Sequence, residues 1–567
     1  MPSKIEILIT DAITQLQNGK PNNAAEILES VLLLDPLCLP ALCISGLAYA
    51  SQGYHSKAAG FFERAVSISP NDPSINFNLA QALSSSNQDL KSLQFHQKAL
   101  SLESNNPDFL LNYGKTLSKL ARHEEAILIY DRVLLKNPHH IECLINKGAS
   151  HKELGVFARA LEIGNQVIGL TPQCYPAYLN CGAALRGLKR YEDAIESYNK
   201  ALAIKPDYYE AWSNLGVTFN EIKRYEDAIE SYNKALAIKP DYRDGIFNLS
   251  HLNLHRMSFD LGWDGYDKAR FDYTHSNTDI FTSDKPLWNG DAKNETLLVW
   301  SEQGVGDQIL FGTMLRDLES LPQKKVVAVN KKLIPIFSRS FPKYDFLDRS
   351  QPIPPDIYDK HIAIGSLGKF FRNQISDFDK HKIPYLKPPQ LNNGGSVLND
   401  FPRGKVICGL SWRSVNKNFG EDKTIPLNAF SPILKNPNYQ FINLQYGETL
   451  SEIDSAVEFF ANPIHTQVGI DNFNDLDGLL ALISRCDIVI TCSNTTAHLA
   501  GALGKETILL LPWSRGVFWY WHKINRQSLW YPSITIFEQS YRGDWSHPMA
   551  EVESYLGSKF QDTPPTL

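Results

Sequence analysis

The chain is 567 residues long and carries 56 Lys and Arg against 62 Asp and Glu, a formal net charge of −6. At ~150 residues per domain that length amounts to about four domain-equivalents, so one compact core is not expected. With 43% apolar and 21% charged residues the composition is ordinary globular usage, which excludes a disordered, collagenous or coiled-coil chain. No apolar run nears the ~18–20 residues of a membrane span, and the stretch Met1–Asp11 lacks the pattern of a secretory signal. The near-neutral charge holds no basic block for nucleic acid or anionic membranes. Eight cysteines without a C-x-x-C pair suggest neither a zinc site nor a disulfide framework. The expectation is a soluble, cytoplasmic, multidomain protein without a bound metal or nucleic acid.

A period organises the first half. Pro36, Pro70, Pro138, Pro172, Pro206 and Pro240 lie on one 34-residue grid, with Ser104 in the remaining slot. Ten residues after each grid point stand Gly46, Ala80, Gly114, Gly148, Gly182 and Gly216. Twenty-two after stand Ala58, Ser92, Ala126, Ala160, Ala194 and Ala228, with Ala24 in phase before them. Lys189–Tyr208 recurs letter for letter as Lys223–Tyr242, an internal duplication. Small residues on two helices let their backbones approach, and the proline ends the second helix because it lacks an N–H.

This pattern resembles the tetratricopeptide repeat, with about seven units over residues 3–240 and a first domain of 1–240. Such arrays stack into an α-solenoid, a superhelix whose concave groove takes a peptide or protein partner. Tyr191, Trp212 and Tyr225 read as packing between repeats, and self-association through the repeats stays open. Cys38, Cys43, Cys143, Cys174 and Cys181 read as small buried hydrophobes. After Pro240 the period fades, and residues 241–288 read as a capping helix with an aromatic-rich connector from Trp263 to Trp288.

From about residue 295 short β-rich runs alternate with helical stretches. Thr296–Trp300, Lys325–Val329, Lys405–Trp412, Gln440–Leu444, Asp487–Thr491 and Thr507–Leu511 are candidate buried strands. The alternation predicts an α/β region with parallel sheets. A polar break at Asn392–Ser396 divides it into residues 289–395 and 396–567, read as two Rossmann-like lobes with a cleft outside the carboxyl ends of their strands.

Three segments fall at such ends. In Ser301–Phe311, Gly304 and Gly306 permit close backbone approach, and Asp307 sits near a helix start, either as a cap or aimed at a ligand. In the stretch from Leu410 to Pro426, Ser411, Arg413 and Lys423 are suited to an anion, with surface ion pairing as the alternative. In Ile490–Lys505, Ser493, Asn494 and Thr495 open a helix that carries His498. A helix start of this kind binds phosphates, although Ser493 or Asn494 could equally be a cap.

Taken together, residues ~285–550 resemble family 9 glycosyltransferases, the heptosyltransferase-like group. They look most like the bacterial subgroup with an N-terminal tetratricopeptide array. The matching stretches are Glu302–Asp307, Arg413 with Lys423–Pro426, Ala497–Lys505, Trp530–Ser533 and Gly543–Trp545. The resemblance implies a GT-B architecture and inverting, metal-independent transfer from a nucleotide-diphosphate sugar to a protein, peptide or glycan hydroxyl. In that frame the acceptor binds on 289–395 and the donor on 396–567. Asp307 matches the family's general base and Lys423 its phosphate-steadying lysine, with Ser411 and Arg413 beside it. Ser493-Asn494-Thr495 with His498 matches the phosphate-side motif, except that Ser493 replaces the aspartate common in the subgroup. The repeats would recruit the acceptor or a protein partner.

Asp475-Leu-Asp477 has the D-x-D pattern of metal-dependent transferases but precedes a helix and reads as a capping turn. The rings of Phe518–Trp521, with Trp513, Trp530 and Tyr531, either stack on a ligand or pack a core. The rival reading, motivated by Ser493, is a non-catalytic adaptor with a degenerate nucleotide-sugar domain. A hydride-transferring enzyme is disfavoured, because no G-x-G-x-x-G follows a strand with an acidic residue ~20 positions on.

Overall fold

The 34-residue grid becomes a grid of helix pairs. The structure, a computed structural model, describes residues 3–270, 281–381, 384–389, 405–415, 420–461, 463–513 and 516–560. Sixteen helices run from Lys4–Gln17 to Phe259–Arg270, joined alternately by three and four residues. Connections this short make successive helices antiparallel neighbours. Each three-residue turn places its middle residue at positive φ: Gly19, Gly53, Asn87, Ala121, Gly155, Lys189, Lys223 and Met257, spaced 34 apart. That conformation suits glycine, and the non-glycine residues adopt it because both flanking helices hold it.

The small position ten residues into the unit has a more specific task than backbone approach. A Cβ built on Gly46 would lie 2.5 Å from the Phe62 ring, and one on Gly182 would lie 2.5 Å from the Tyr198 ring. Gly114 stands in the same relation to Tyr130. In these units the glycine makes room for an aromatic side chain sixteen residues later, which is then almost fully buried.

Helix pairing does not stop at Pro240. Arg243–His255 and Phe259–Arg270 form an eighth pair, so residues 259–270, which include Trp263, are helical rather than connector. The signal was present in the grid. Ser250 and Gly262 occupy the two small positions, and a Cβ on Gly262 would lie 2.9 Å from the Leu254 backbone nitrogen.

The chain divides into two compact units, Met1–Thr218 and Phe219–Leu567. The second holds two sheets. Strands β1 (Thr296–Trp300), β2 (Lys324–Val329), β3 (Asp345–Asp348) and β4 (Lys360–Ala363) form a parallel sheet ordered β3-β2-β1-β4. The second sheet contains β5 (Val406–Ser411), β6 (Tyr439–Asn443), β7 (Ile464–His465), β8 (Ile488–Cys492), β9 (Thr507–Leu511), β10 (Lys523–Ile524), β11 (Gln527–Ser528) and β12 (Ile534–Glu538). Its order is β10-β11-β12-β9-β8-β5-β6-β7, parallel except at β10 and β11. The expected break at Asn392–Ser396 lies outside the described residues.

One apolar cluster runs through both sheets. It joins Val299 of β1 and Val489 of β8 to Phe311, Trp519 and Trp530, and it takes in Phe259, Trp263 and Tyr266 from the last solenoid helix. Trp263 donates its indole N–H to the Arg372 carbonyl at 2.8 Å, and His522 meets the Leu254 carbonyl at 2.7 Å. The eighth helix pair is therefore built into the core of the α/β region.

Candidate active site

Strand order locates the site. In the first sheet the chain passes outward through β1, β2 and β3, then returns to the other side of β1 as β4. In the second it passes through β5, β6 and β7, then crosses to the other side of β5 as β8, β9 and β12. Each reversal opens a crevice beyond the strand ends, where ligands of α/β proteins bind. Asp307 follows β1, Ser411 ends β5 and Lys423 follows it, and Ser493 with His498 follow β8. All three expected segments flank a reversal point.

Asp307 lies at the third position of the helix Val305–Gly312, whose N-cap is Gly304. It is therefore not the cap itself. Its carboxylate lies back against Gly304, where the N–H groups of Gly304 and of Asp307 and the Tyr520 hydroxyl favour its charged form. Burial pushes its pKa up to about 6, against the smaller opposing pull of Tyr520 and of the Lys423 charge. Lys423 is 2% exposed. Burial lowers its pKa to about 8, with Cys492 and Asp307 acting the other way. Its ammonium faces the Ser493 carbonyl at 3.5 Å and lies 3.8 Å from the centre of the Phe518 ring.

His498 joins the two sheets' contributions. A Cβ on Gly306 would stand 3.0 Å from its Cδ2, so glycine at 306 lets the two helices meet. The imidazole stacks on Trp521 with centroids 4.8 Å apart, and its Nδ1 lies 3.2 Å from the Tyr531 hydroxyl. Burial and the nearby Lys423 charge push its pKa down to about 3, so it is neutral at physiological pH. Ser493 is buried, and its hydroxyl accepts the Trp521 indole N–H at 2.9 Å.

The remaining expected residues are committed to the framework. Asn494 caps the helix Thr495–Ala502 through Ala497 N–H at 3.3 Å and donates to Ser411 Oγ at 2.7 Å. Ser411 also bonds Gln445, whose Oε1 accepts the N–H groups of Trp412 and Arg413 at 2.9 Å each. The Arg413 guanidinium pairs with Glu452 and donates to the Glu448 carbonyl at 2.5 Å. Two expected residues are not so committed: Thr495 is partly exposed at its helix start, and Gly304 is exposed. Asp475 caps its helix by accepting Gly478 N–H at 2.8 Å, and Asp477 pairs with Arg339 at 2.5 Å. Among the described residues no three His, Cys, Asp or Glu side chains converge as a metal-binding group.

Two contributors escape sequence reasoning. Tyr520 touches Asp307, but the run Phe518–Trp521 offers no period that tells ligand-facing rings from core rings. Gln445 braces the end of β5 from the end of β6, and the only clue was its place just past a buried strand. Two hollows lie away from Asp307: a shallow one of about 520 Å³ along Glu226–Ala237, and one of about 220 Å³ bordered by Glu421, Trp513 and Arg542.

The tetratricopeptide repeat family matches residues 10–73 and 209–242, and the TPR repeat family matches 182–222. The N-terminal region is thus a tetratricopeptide array. Protein FlbA of Caulobacter vibrioides is 31% identical over 316 residues, covering 52% of each chain. The chain spans about half the length of this curated relative. Among solved structures, a tetratricopeptide repeat protein from Parabacteroides merdae is 18% identical, with a TM-score of 0.40 over 43% of this chain and 97% of that one. MamA from Desulfovibrio magneticus is 23% identical, with a TM-score of 0.27 over 30% of this chain and 96% of that one.

Proposed function

We propose that the α/β region is an inverting glycosyltransferase that uses a nucleotide-diphosphate sugar, and that the tetratricopeptide array recruits the acceptor or a partner protein. The observation that carries this reading is that Asp307 and Lys423, one group following a strand of each sheet, are near enough for each charge to favour the other. The family 9 resemblance of the same segments supports it.

A hydroxyl is a weak nucleophile at neutral pH, so the acceptor needs a base as it attacks. Asp307, with its pKa raised to about 6, is ionised at pH 7 yet more basic than an ordinary carboxylate. It takes the hydroxyl proton while the acceptor oxygen bonds to the anomeric carbon from the face opposite the departing group. The bond from that carbon to the diphosphate breaks, and its electron pair leaves on the nucleoside diphosphate. The Lys423 ammonium and the N–H groups at Thr495 and Thr496 favour the charge that develops there. The reading requires the Phe518 ring to yield its place over Lys423 to the phosphates. It assigns no role to a metal ion.

The test is incubation of the full chain with a panel of nucleotide-diphosphate sugars and native lysate, followed by mass spectrometry. Consumption of one donor with release of its nucleoside diphosphate is expected. A donor that binds without being consumed favours the adaptor, and no binding to any donor overturns the reading.

A further inference from the structure

Resting on that reading of Asp307, we propose that Arg270 and Glu302 are positioning residues for it: the last solenoid helix holds the loop that presents the base. The loop Ser301–Gly304 leaves β1 and ends at Gly304, against which the Asp307 carboxylate lies: a Cβ built there would stand 3.4 Å from its Oδ2. Two of its three side chains are gripped by the helix Phe259–Arg270. Glu302 is buried, and its carboxylate meets Arg270 Nη1 at 2.7 Å, the Arg270 and Glu302 side chains being only 8% and 3% exposed. Gln303 donates its amide to the Tyr266 hydroxyl at 2.7 Å.

The grip is braced on both sides. Arg270 Nη2 donates to Ser366 Oγ at 2.8 Å and lies 3.1 Å from Asp267 Oδ1, while Ser366 Oγ donates to the same Asp267 oxygen at 2.8 Å. The guanidinium lies 4.4 Å from the Tyr266 ring centre. Residue 365 is glycine, and a Cβ there would stand 2.7 Å from Glu302 Oε1. On the other side of the loop, Gln308 donates to the Gln303 carbonyl at 2.7 Å and accepts Asn330 N–H at 2.9 Å.

A buried ion pair gains little net stability, because desolvation offsets most of the attraction. What this one supplies is geometry. It fixes the residue two before Gly304 and five before Asp307 against a helix that belongs to the repeat array, not to the sheet. The array's last pair is thereby part of the machinery that aims the base.

The experiment uses the full chain and a readout that does not require transfer. The rings of Trp519 and Trp521 pack on Tyr520, which is near enough to Asp307 to affect its pKa, so tryptophan fluorescence should follow ionisation of that carboxyl. Lys423, Tyr520, Tyr531 and Glu302 are the charged or titratable groups coupled to it. The wild type should show a step near pH 6 that Asp307→Asn lacks. The double variant Arg270→Met with Glu302→Gln removes both charges of the buried pair, and the partly exposed Asp267 keeps the Ser366 hydroxyl. It should melt cooperatively yet move that step by about half a pH unit or more, as a changed surrounding does. With a donor found, its kcat should fall roughly tenfold or more at an unchanged donor Kd, as expected of a displaced base. Arg270→Lys, which keeps the charge, should restore both readouts towards wild type. Should the double variant fail to fold, Glu302→Gln alone is read in the same way. A folded variant with the wild-type step and wild-type kcat overturns the proposal, as does a wild type without the step. Absence of turnover with every donor overturns the transferase reading but leaves the fluorescence comparison to judge the positioning by itself.

Discussion

In the repeat array a glycine answers to a ring within its own unit, Gly46 to Phe62 and Gly182 to Tyr198. In the α/β region the same device works across the chain, where Gly306 meets His498 and Gly368 meets Trp263. The first arrangement makes stability a sum over neighbouring repeats. The second makes every element depend on distant ones, so a change at one point is felt at Asp307. The proposed chemistry needs the second kind of construction, because its base and its cation come from different sheets and must be held together.

The sharpest way to break this comparison is at Asp307. Asp307→Asn should lower kcat by about a thousandfold, within the range of a lost general base, with donor binding unchanged by calorimetry. Gly182→Ala in the array should leave kcat unchanged. A mild effect of Asp307→Asn on turnover removes Asp307 from the base role.

Next in size is Lys423. Wild-type kcat/KM should be bell-shaped, rising as Asp307 ionises near pH 6 and falling as Lys423 deprotonates near pH 8. Lys423→Met should cost roughly a hundredfold in turnover and abolish the alkaline limb. A limb that persists in this variant would assign it to another group.

Acid should separate the two regions. His251, His498 and His522 are held neutral by burial, with pKa values near 4, 3 and 3 against an ordinary 6.5. Their unfolded forms bind protons below pH 6.5 and their folded forms do not. The stability they support is complete above that pH and drains away as pH falls towards 3. Each contributes up to ~1.4 kcal/mol per pH unit in that window. In Met1–Thr218, His96 is the group pushed down to about 4, and His151 is lowered less far. Nine of the ten tryptophans lie in Phe219–Leu567. Tryptophan fluorescence should therefore change at a higher pH than helical circular dichroism, and coincident transitions would show that the two regions unfold together.

The smallest expected effects come from the backbone. Gly368→Ala and Gly182→Ala both overpack a buried ring and should cost about 1–3 kcal/mol. Activity should fall in the first alone, since Gly368 faces Trp263 in the core that carries the site. Ala121→Gly should stabilise by about 0.5 kcal/mol, the left-handed strain relieved less the added freedom of the unfolded chain, as thermal melts can measure.

Much of the fold was legible in the residues. β1 and β9 match their expected limits, and β2, β5, β6 and β8 match within a residue or two, because buried parallel strands read as short β-branched runs. β3, written Asp345-Phe-Leu-Asp, and β7, two residues long, carry too little apolar signal to be found. β12 was missed although Ile534-Thr-Ile carries a β-branched signal. The helix Arg243–His255 answers to the expected capping helix, whereas Phe259–Arg270 falls where a connector is expected, because no proline stands four residues past its end, although Ser250 and Gly262 stay in phase.

By itself the sequence determined what is local and periodic: the repeat with its 34-residue register, the strand–helix alternation, and the three segments at strand ends. A period repeats one physical constraint many times, and a buried strand must be apolar along its whole length, so both leave marks in the chain. The tertiary structure alone decided which polar residues stay open to a ligand. Arg413 is claimed by Glu452, Asn494 by Ser411, and Glu302 by Arg270. Asp307 keeps Tyr520 and the charge of Lys423. Such partners lie tens of residues away, and burial, which sets their pKa values, belongs to the folded surroundings and not to the residue.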